Sequence, residues 1–277
     1  MNSFIRIIIF IVISFGSIPS FSNEISNIDW INGKIYSTVT YTFKNDYNFA
    51  HNNMKEIDSA REMAKVNYYG ILKNINAVES TSVIDYIEGI NSGIDDLYRL
   101  LDNAKLGKIE YPKLNTVKVT YYINIFGDNS LMNILMPDDD AFTSDLVNNT
   151  GFHFNTVYTG LIIDARGELE SFDGNKVKVK PCIFATIKDE SGNTIISRHN
   201  VLPGVIHEKG MVRYSYDIKE NQEERTGKKP LKVVAYKAGD SFGGIIIISE
   251  DDAKRILSSE KTRSSIKNGN IVIVINP

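Results

Sequence analysis

Cysteine is almost absent: Cys182 is the single thiol in 277 residues. A lone cysteine excludes an intramolecular disulfide. It also lies far from the N-terminus, so no cysteine near the first apolar run is placed to carry a lipid. It sits in the strand-like run Val179 to Phe184, and a small buried residue is the expected role there rather than a reactive thiol. Histidine is scarce too. His51, His153, His199 and His207 have no H-E-x-x-H or comparable ligand spacing, so no metal site and no cofactor is expected. A charge excess of one sign is missing: 31 basic against 34 acidic residues give a net charge of −3. No basic stripe interleaved with aromatics appears, and nucleic-acid binding is not expected. Nucleotide-cradling glycine loops are absent as well. Gly239-Asp240-Ser241 has no downstream base to orient a nucleophile, so no catalytic residue is assigned and no enzyme activity is expected.

What is present begins with a targeting signal. Arg6 provides a short positive region, Ile7 to Phe15 is apolar apart from Ser14, and Ser20 and Ser22 supply the small residues of a cleavage site. The run is shorter than the about 20 apolar residues that span a bilayer. Residues 1–22 are therefore expected to be a cleaved signal peptide, with the mature chain starting at Asn23 and reaching the periplasm. No later stretch approaches spanning length.

The periodicities that follow predict an α+β fold in two parts. Over residues 23–136 the order is strand, long helix, second helix, strand. Asn32-Gly33 is a tight-turn dipeptide, and Lys34 to Tyr41 alternates as a half-buried strand does. Apolar residues recur at threes and fours over His51 to Asn76, and again over Ile87 to Ala104. A turn near Gly107 and Pro112 then stops helical continuation. Val117, Val119, Tyr121, Ile123 and Ile125 share one face of a strand, followed by a turn and a short helix at Leu131 to Leu135.

Residues 137–155, opening with Pro137 and the Asp138-Asp139-Asp140 run, read as a linker. Residues 156–277 form a strand-rich α+β domain. Its strands are expected at Val157 to Ala165, Lys176 to Lys188, Thr194 to Arg198, Leu231 to Lys237, Gly244 to Ile248 and Asn270 to Asn276. Asp189 to Asn193 forms a hairpin turn and Asn221 to Lys229 a charged loop. Ser249-x-x-Asp252 caps a helix over Glu250 to Ser258. Met211 to Ile218 fits either a helix or a strand.

The most suggestive polar pair is Asp164 and Arg166. Positions two apart on a strand point the same way, so the pair is either a ligand-binding contact at a sheet end or an ion pair that fixes the strand's exit. Asp138 to Asp140 lacks the glycine and ligand spacing of a calcium loop and reads as solvated linker. The Tyr68-Tyr69, Tyr121-Tyr122 and Ile245 to Ile248 runs become contact surfaces only if the fold leaves them uncovered.

The opening strand and turn at Asn27-Ile28-Asp29-Trp30, the helix bearing Ala60-Arg61, and the V-x-V-x-Y strand ending at Phe126-Gly127 resemble a known module. It is the N-terminal module of the flagellar assembly protein T family, shared with the Lpp-twenty-type outer-membrane lipoproteins. T-G-L-I-I-D-A-R at Thr159, V-K-P-C-I-F at Val179, K-D-E-S-G-N at Lys188, P-L-K-V-V-A at Pro230 and I-S-E-D-D-A-K-R-I-L at Ile248 resemble the segment following that module in exported envelope proteins. The resemblance implies a non-enzymatic structural or assembly protein of the periplasm or outer membrane. Its implied partners are other envelope or flagellar basal-body proteins, or further copies of itself. Lipid anchoring is not implied, because Asn23 stands where lipidated members have cysteine. Two other readings stay open: a periplasmic ligand-binding module with a cleft between its two domains, and a hydrolase whose groups only the fold brings together.

Overall fold

The sequence periodicities resolve into elements in the computed structural model. It describes residues 28–42, 49–113, 116–136, 144–147, 156–240 and 243–277, with side chains in the first helix described from Ser59 onward. The expected signal peptide 1–22, the Asp138 to Asp140 run and most of the expected linker 137–155 lie outside the described residues.

In chain order the first half contains β1 (Ile28–Asp29), β2 (Lys34–Thr42), α1 (Phe49–Lys73), β3 (Asn76–Val78), β4 (Thr81–Ser82), α2 (Val83–Glu88), α3 (Gly93–Asp102), β5 (Lys105–Lys113), β6 (Thr116–Asn124) and α4 (Met132–Leu135). β1, β2, β6 and β5 form an antiparallel sheet in that order. Gly33 takes a positive φ of 61° in the tight turn between β1 and β2, as the Asn-Gly dipeptide requires. The alternation in β2 and β6 buries Ile35, Val39, Val119, Tyr121 and Ile123 on one face. α1 covers that face with Ala60, Ala64, Tyr68 and Leu72, a stripe at four-residue spacing. The small alanines bring helix and sheet close enough for Ser37 Oγ to donate to Ala64 O at 3.1 Å.

Two local expectations for this half are corrected. The single helix over Ile87 to Ala104 is two helices, α2 starting earlier and α3 starting later. Ser82 Oγ accepts from Asp85 N at 3.1 Å and caps α2. The chain then breaks at Ser92, whose φ of 60° no helix interior adopts. The turn placed near Gly107 and Pro112 lies within a strand, β5. It is an outer strand with most side chains exposed, so it carries no apolar alternation to read, and Pro112 is tolerated on an edge.

The second half contains β7 (Leu161–Asp164), β8 (Leu169–Glu170), β9 (Lys176–Val177), β10 (Cys182–Phe184), β11 (Thr186–Asp189), β12 (Thr194–Ile196), a 3-10 turn (Arg198–Asn200), α5 (Pro203–Lys209), β13 (Arg213–Ser215), α6 (Glu223–Thr226), β14 (Leu231–Val234), β15 (Lys237–Ala238), β16 (Ile245–Ile248), α7 (Glu250–Ser258), α8 (Glu260–Lys267) and β17 (Ile271–Val274). β13, β17, β7 and β14 form an all-parallel sheet in that order. β12, β11, β16 and β15 form a mixed sheet. The isoleucine strand β16 is central, between β11 and β15, with all four side chains buried. It is core, as continuous apolar strands usually are. The 211–218 stretch resolves as β13, and the charged 221–229 loop holds the short helix α6.

The fold is therefore α+β, an antiparallel helix-covered sheet followed by a strand-rich half. The halves are joined by backbone pairing: β10 lies parallel to β3, with Cys182 opposite Asn76 and Phe184 opposite Val78. Side chains add to the seam. Trp30 meets Tyr214 edge-on with ring centroids 5.5 Å apart, and Tyr86 meets Phe184 at 6.1 Å. Arg198 bridges the two by a hydrogen bond to the Tyr86 hydroxyl. A continuous buried cluster runs from Ile35 and Tyr68 through Phe184 and Tyr214 to Ile273.

Candidate functional site

β7 is one of the two inner strands of the parallel sheet, paired to β17 on one side and β14 on the other. In open parallel sheets ligands gather beyond the carboxyl ends of the strands, and Asp164 and Arg166 lie at that end of β7. The structure brings the two side chains together. Arg166 Nε donates to Asp164 Oδ1 at 2.8 Å and Nη2 donates to Oδ2 at 2.7 Å. This two-pronged geometry is the strongest an arginine offers a carboxylate. The guanidinium holds the Asp164 carboxyl below its ordinary range, and Asp164 in turn raises Arg166.

The corner is closed by further bonds. Gly167 N donates to Asn276 Oδ1 at 3.1 Å, and Asn276 Nδ2 returns to Gly167 O at 3.2 Å. Ala165 N donates to Val274 O at 2.8 Å. Asp164 and Arg166 thus pair with each other, while Asn276 locks the exit of β7 to the end of β17. A carboxylate held this way is a poor general base, because the cation beside it favours the ionised, weakly basic state.

The remaining candidates are likewise engaged. Cys182 is 1% exposed. Its thiol donates to Ala77 O at 3.2 Å, and burial pushes it up to about 12, well away from the thiolate that reactive cysteines need. The Tyr214 hydroxyl clamps the same residue, accepting from Cys182 N and donating to Cys182 O, both at 2.9 Å. Asp189 Oδ1 accepts from Asn193 N at 2.8 Å and Oδ2 from Asn193 Nδ2 at 2.9 Å, so the oxygens that could have bound a cation close a hairpin. The tip of that hairpin binds α7, with Ser191 Oγ donating to Glu250 Oε1 at 2.6 Å. Among the described residues no group of His, Cys, Asp and Glu is arranged to hold a metal. His199 and His207 lie in the 3-10 turn and α5, while His153 and Ser241 lie outside the described residues.

One buried cluster escaped the sequence reading. Arg225, only 7% exposed, donates to Lys209 O at 3.0 Å and Gly210 O at 2.6 Å, taking up carbonyls at the C-terminal end of α5. Burial, with the Arg213 charge adding to it, pulls the guanidinium down to about 10. Next to it Glu220 accepts from Arg213 at 2.8 Å, Ser215 at 2.6 Å and Gln222 at 2.9 Å. Arg225 stands in the run Glu223-Glu224-Arg225, which reads as solvated surface. No periodicity marks it for burial.

Two surface grooves accompany these residues, and neither is lined by Asp164 or Arg166. One of about 440 Å³ is bounded by Leu202 to Val205 and Glu208. The other, about 530 Å³, lies between residues 144–147 and the stretch Thr194 to Asn200, with Leu257 at its side. Lys267 pairs with Asp145 at 2.8 Å and holds the 144–147 segment against the second half.

The fold and these contacts define a mixed α+β protein in which Asp164, Arg166, Asp189 and Arg225 hold corners and turns. Residues 160–277, which start at the entry to β7 and include every element from there on, match the family described as the second domain of Treponema pallidum Tp0624. No curated protein matches the chain.

Proposed function

We propose that the protein is a non-enzymatic structural or assembly component of the bacterial cell envelope. It is exported by its first 22 residues and acts in the periplasm or against the outer membrane through surface complementarity. The observation that carries this reading is that four of the exposed large apolar side chains among the described residues stand at outer strands. Leu106 and Tyr111, 48% and 55% exposed, stand on the outer strand β5, and Val234 and Tyr236, 69% and 55% exposed, stand on and just beyond the outer strand β14. Outer strands carry unpaired backbone groups, and apolar side chains beside them favour pairing with another chain. The Asp164–Arg166 ion pair fits the same reading, because a carboxylate held beside a guanidinium is a poor general base. Partners are envelope proteins, basal-body proteins or further copies of this chain.

In-cell crosslinking of the native protein, followed by mass spectrometry of fractionated envelope, tests the proposal. Crosslinks from β5 or β14 to basal-body or outer-membrane components are the expected result. Recovery as a free periplasmic monomer would sink it. A second reading, a periplasmic ligand-binding module, is favoured by the groove beneath residues 144–147, which lies where the two halves are joined in sequence. Under that reading the monomer result is the expected one, and a bound small molecule co-purifies.

A further inference from the structure

Only one face of the β1-β2-β6-β5 sheet is covered by α1; the register of its strands fixes what stands on the other. Directly opposed residues share a face, so the rows are Lys34 with Asn124, Tyr36 with Tyr122 and Lys105, Thr38 with Thr120 and Lys108, and Thr40 with Lys118 and Glu110. Every row carries a lysine. Rows are two residues apart, about 7 Å in a strand, so cationic positions recur along roughly 20 Å of sheet. Glu110 pairs with Lys108 at 2.7 Å, so those two charges offset each other, and Asp29 is turned into the β1–β2 turn, accepting from Ile31 N and from both nitrogens of Asn32. With Lys34, Lys105 and Lys118 in the other rows, the face keeps more lysines than carboxylates. Between the lysines lie rings and hydroxyls. Tyr36 and Tyr122 stand 6.0 Å apart with Lys34 Nζ 4.7 Å above the Tyr122 ring, and the Thr38 and Thr120 hydroxyls meet at 2.9 Å. These side chains are half-buried or exposed, and none of them is aliphatic.

We infer that this face binds an anionic polysaccharide. A protein-interface core is enriched in aromatic residues, methionine and arginine and depleted in lysine, whereas this face offers lysines and no aliphatic group to bury. Lysine is a point charge on a mobile stem, suited to carboxylates spaced along a flexible chain. The threonine and tyrosine hydroxyls donate to and accept from sugar hydroxyls, and ring faces accept their C–H edges. The inference is independent of the assembly reading: an absent envelope crosslink leaves it standing, and absent glycan binding leaves the assembly reading standing.

The test is binding of the full mature chain to polygalacturonate, with neutral dextran and polyglutamate of matched charge as comparisons. Polygalacturonate should bind, weaken as salt is raised, and outcompete both comparisons. Lys34→Gln with Lys105→Gln should weaken it at least tenfold, while Lys228→Gln with Lys229→Gln, on the other half, changes it less than twofold. The near-isosteric Thr38→Val with Thr120→Val should cost severalfold with the salt dependence unchanged, separating sugar recognition from plain charge attraction. Thermal unfolding of each variant verifies the fold. No binding at low salt, equal binding of polyglutamate, or an equal loss in the Lys228/Lys229 variant would each overturn the inference.

Discussion

Asp164 and Arg166 neutralise each other in a partly exposed corner, and that fixes what their loss should do. Solvent screens such a pair, so Arg166→Ala should lower the melting temperature by only roughly 1–3 °C near neutral pH. The pH dependence follows from Asp164, whose carboxyl is held below its ordinary value. A depressed carboxyl stabilises the fold above its unfolded value, about 3.9, and that contribution is lost as pH falls through the lower folded value. The gap between native and variant protein should therefore close in strongly acidic solution; a gap that persists there would mean Arg166 acts through packing. Cys182 yields a second expectation at this scale. With its thiol buried and pushed up to about 12, alkylation in native buffer should be far slower than in denaturant. Fast native labelling would contradict the described burial.

At the level of elements, a tight constraint acts at the entry to β7. A Cβ at Gly160 would come within 2.6 Å of both Asn270 O and Thr226 O, so the strand, the approach to β17 and the end of α6 touch backbone to backbone there. Gly160→Ala should cost about 2 kcal/mol or more, measured by denaturant unfolding, because no side chain can move aside. A neutral result would place these three elements further apart. The elements whose pattern the sequence displays are those with one buried face: β2 and β6 alternate, α1 repeats at four, and the Ser249 cap of α7 bonds Asp252 N at 3.1 Å as its spacing suggests. β5 was illegible because neither of its faces is well buried, and the break between α2 and α3 because both helices carry apolar residues at compatible spacing. Of the polar groups, Asp164 and Arg166 could be found because strand geometry puts them side by side. Arg225 could not, since its partners are backbone carbonyls of Lys209 and Gly210, supplied by a helix the sequence reading did not place. The pairing of β3 with β10 is hidden for a related reason. Each strand is three residues long, and the partner lies about a hundred residues away in the chain.

That pairing governs how the whole molecule should unfold. Two domains joined by a linker would melt separately, but here β10 completes a sheet begun by β3 and β4. The Tyr214 hydroxyl clamps Cys182 on β10, and the Tyr214 ring packs against Trp30 from the other half. Opening the seam would expose the edges of β3 and β10 together with Phe184 and Tyr214, which are 2% and 4% exposed in the fold. Burial of large apolar side chains contributes about 1.5–3 kcal/mol each, enough to couple the halves. Trp30 is the sole tryptophan and lies at the seam, so its fluorescence reports separation of the halves while far-ultraviolet circular dichroism reports loss of all elements. The two melting curves should coincide as a single cooperative transition. Tyr214→Phe, which removes the hydroxyl's two bonds to Cys182 and keeps the ring, should shift both curves downward together. Tryptophan fluorescence that changes well before the dichroism would show the seam parting first, and the coupling argued from β3, β10 and Tyr214 would fail.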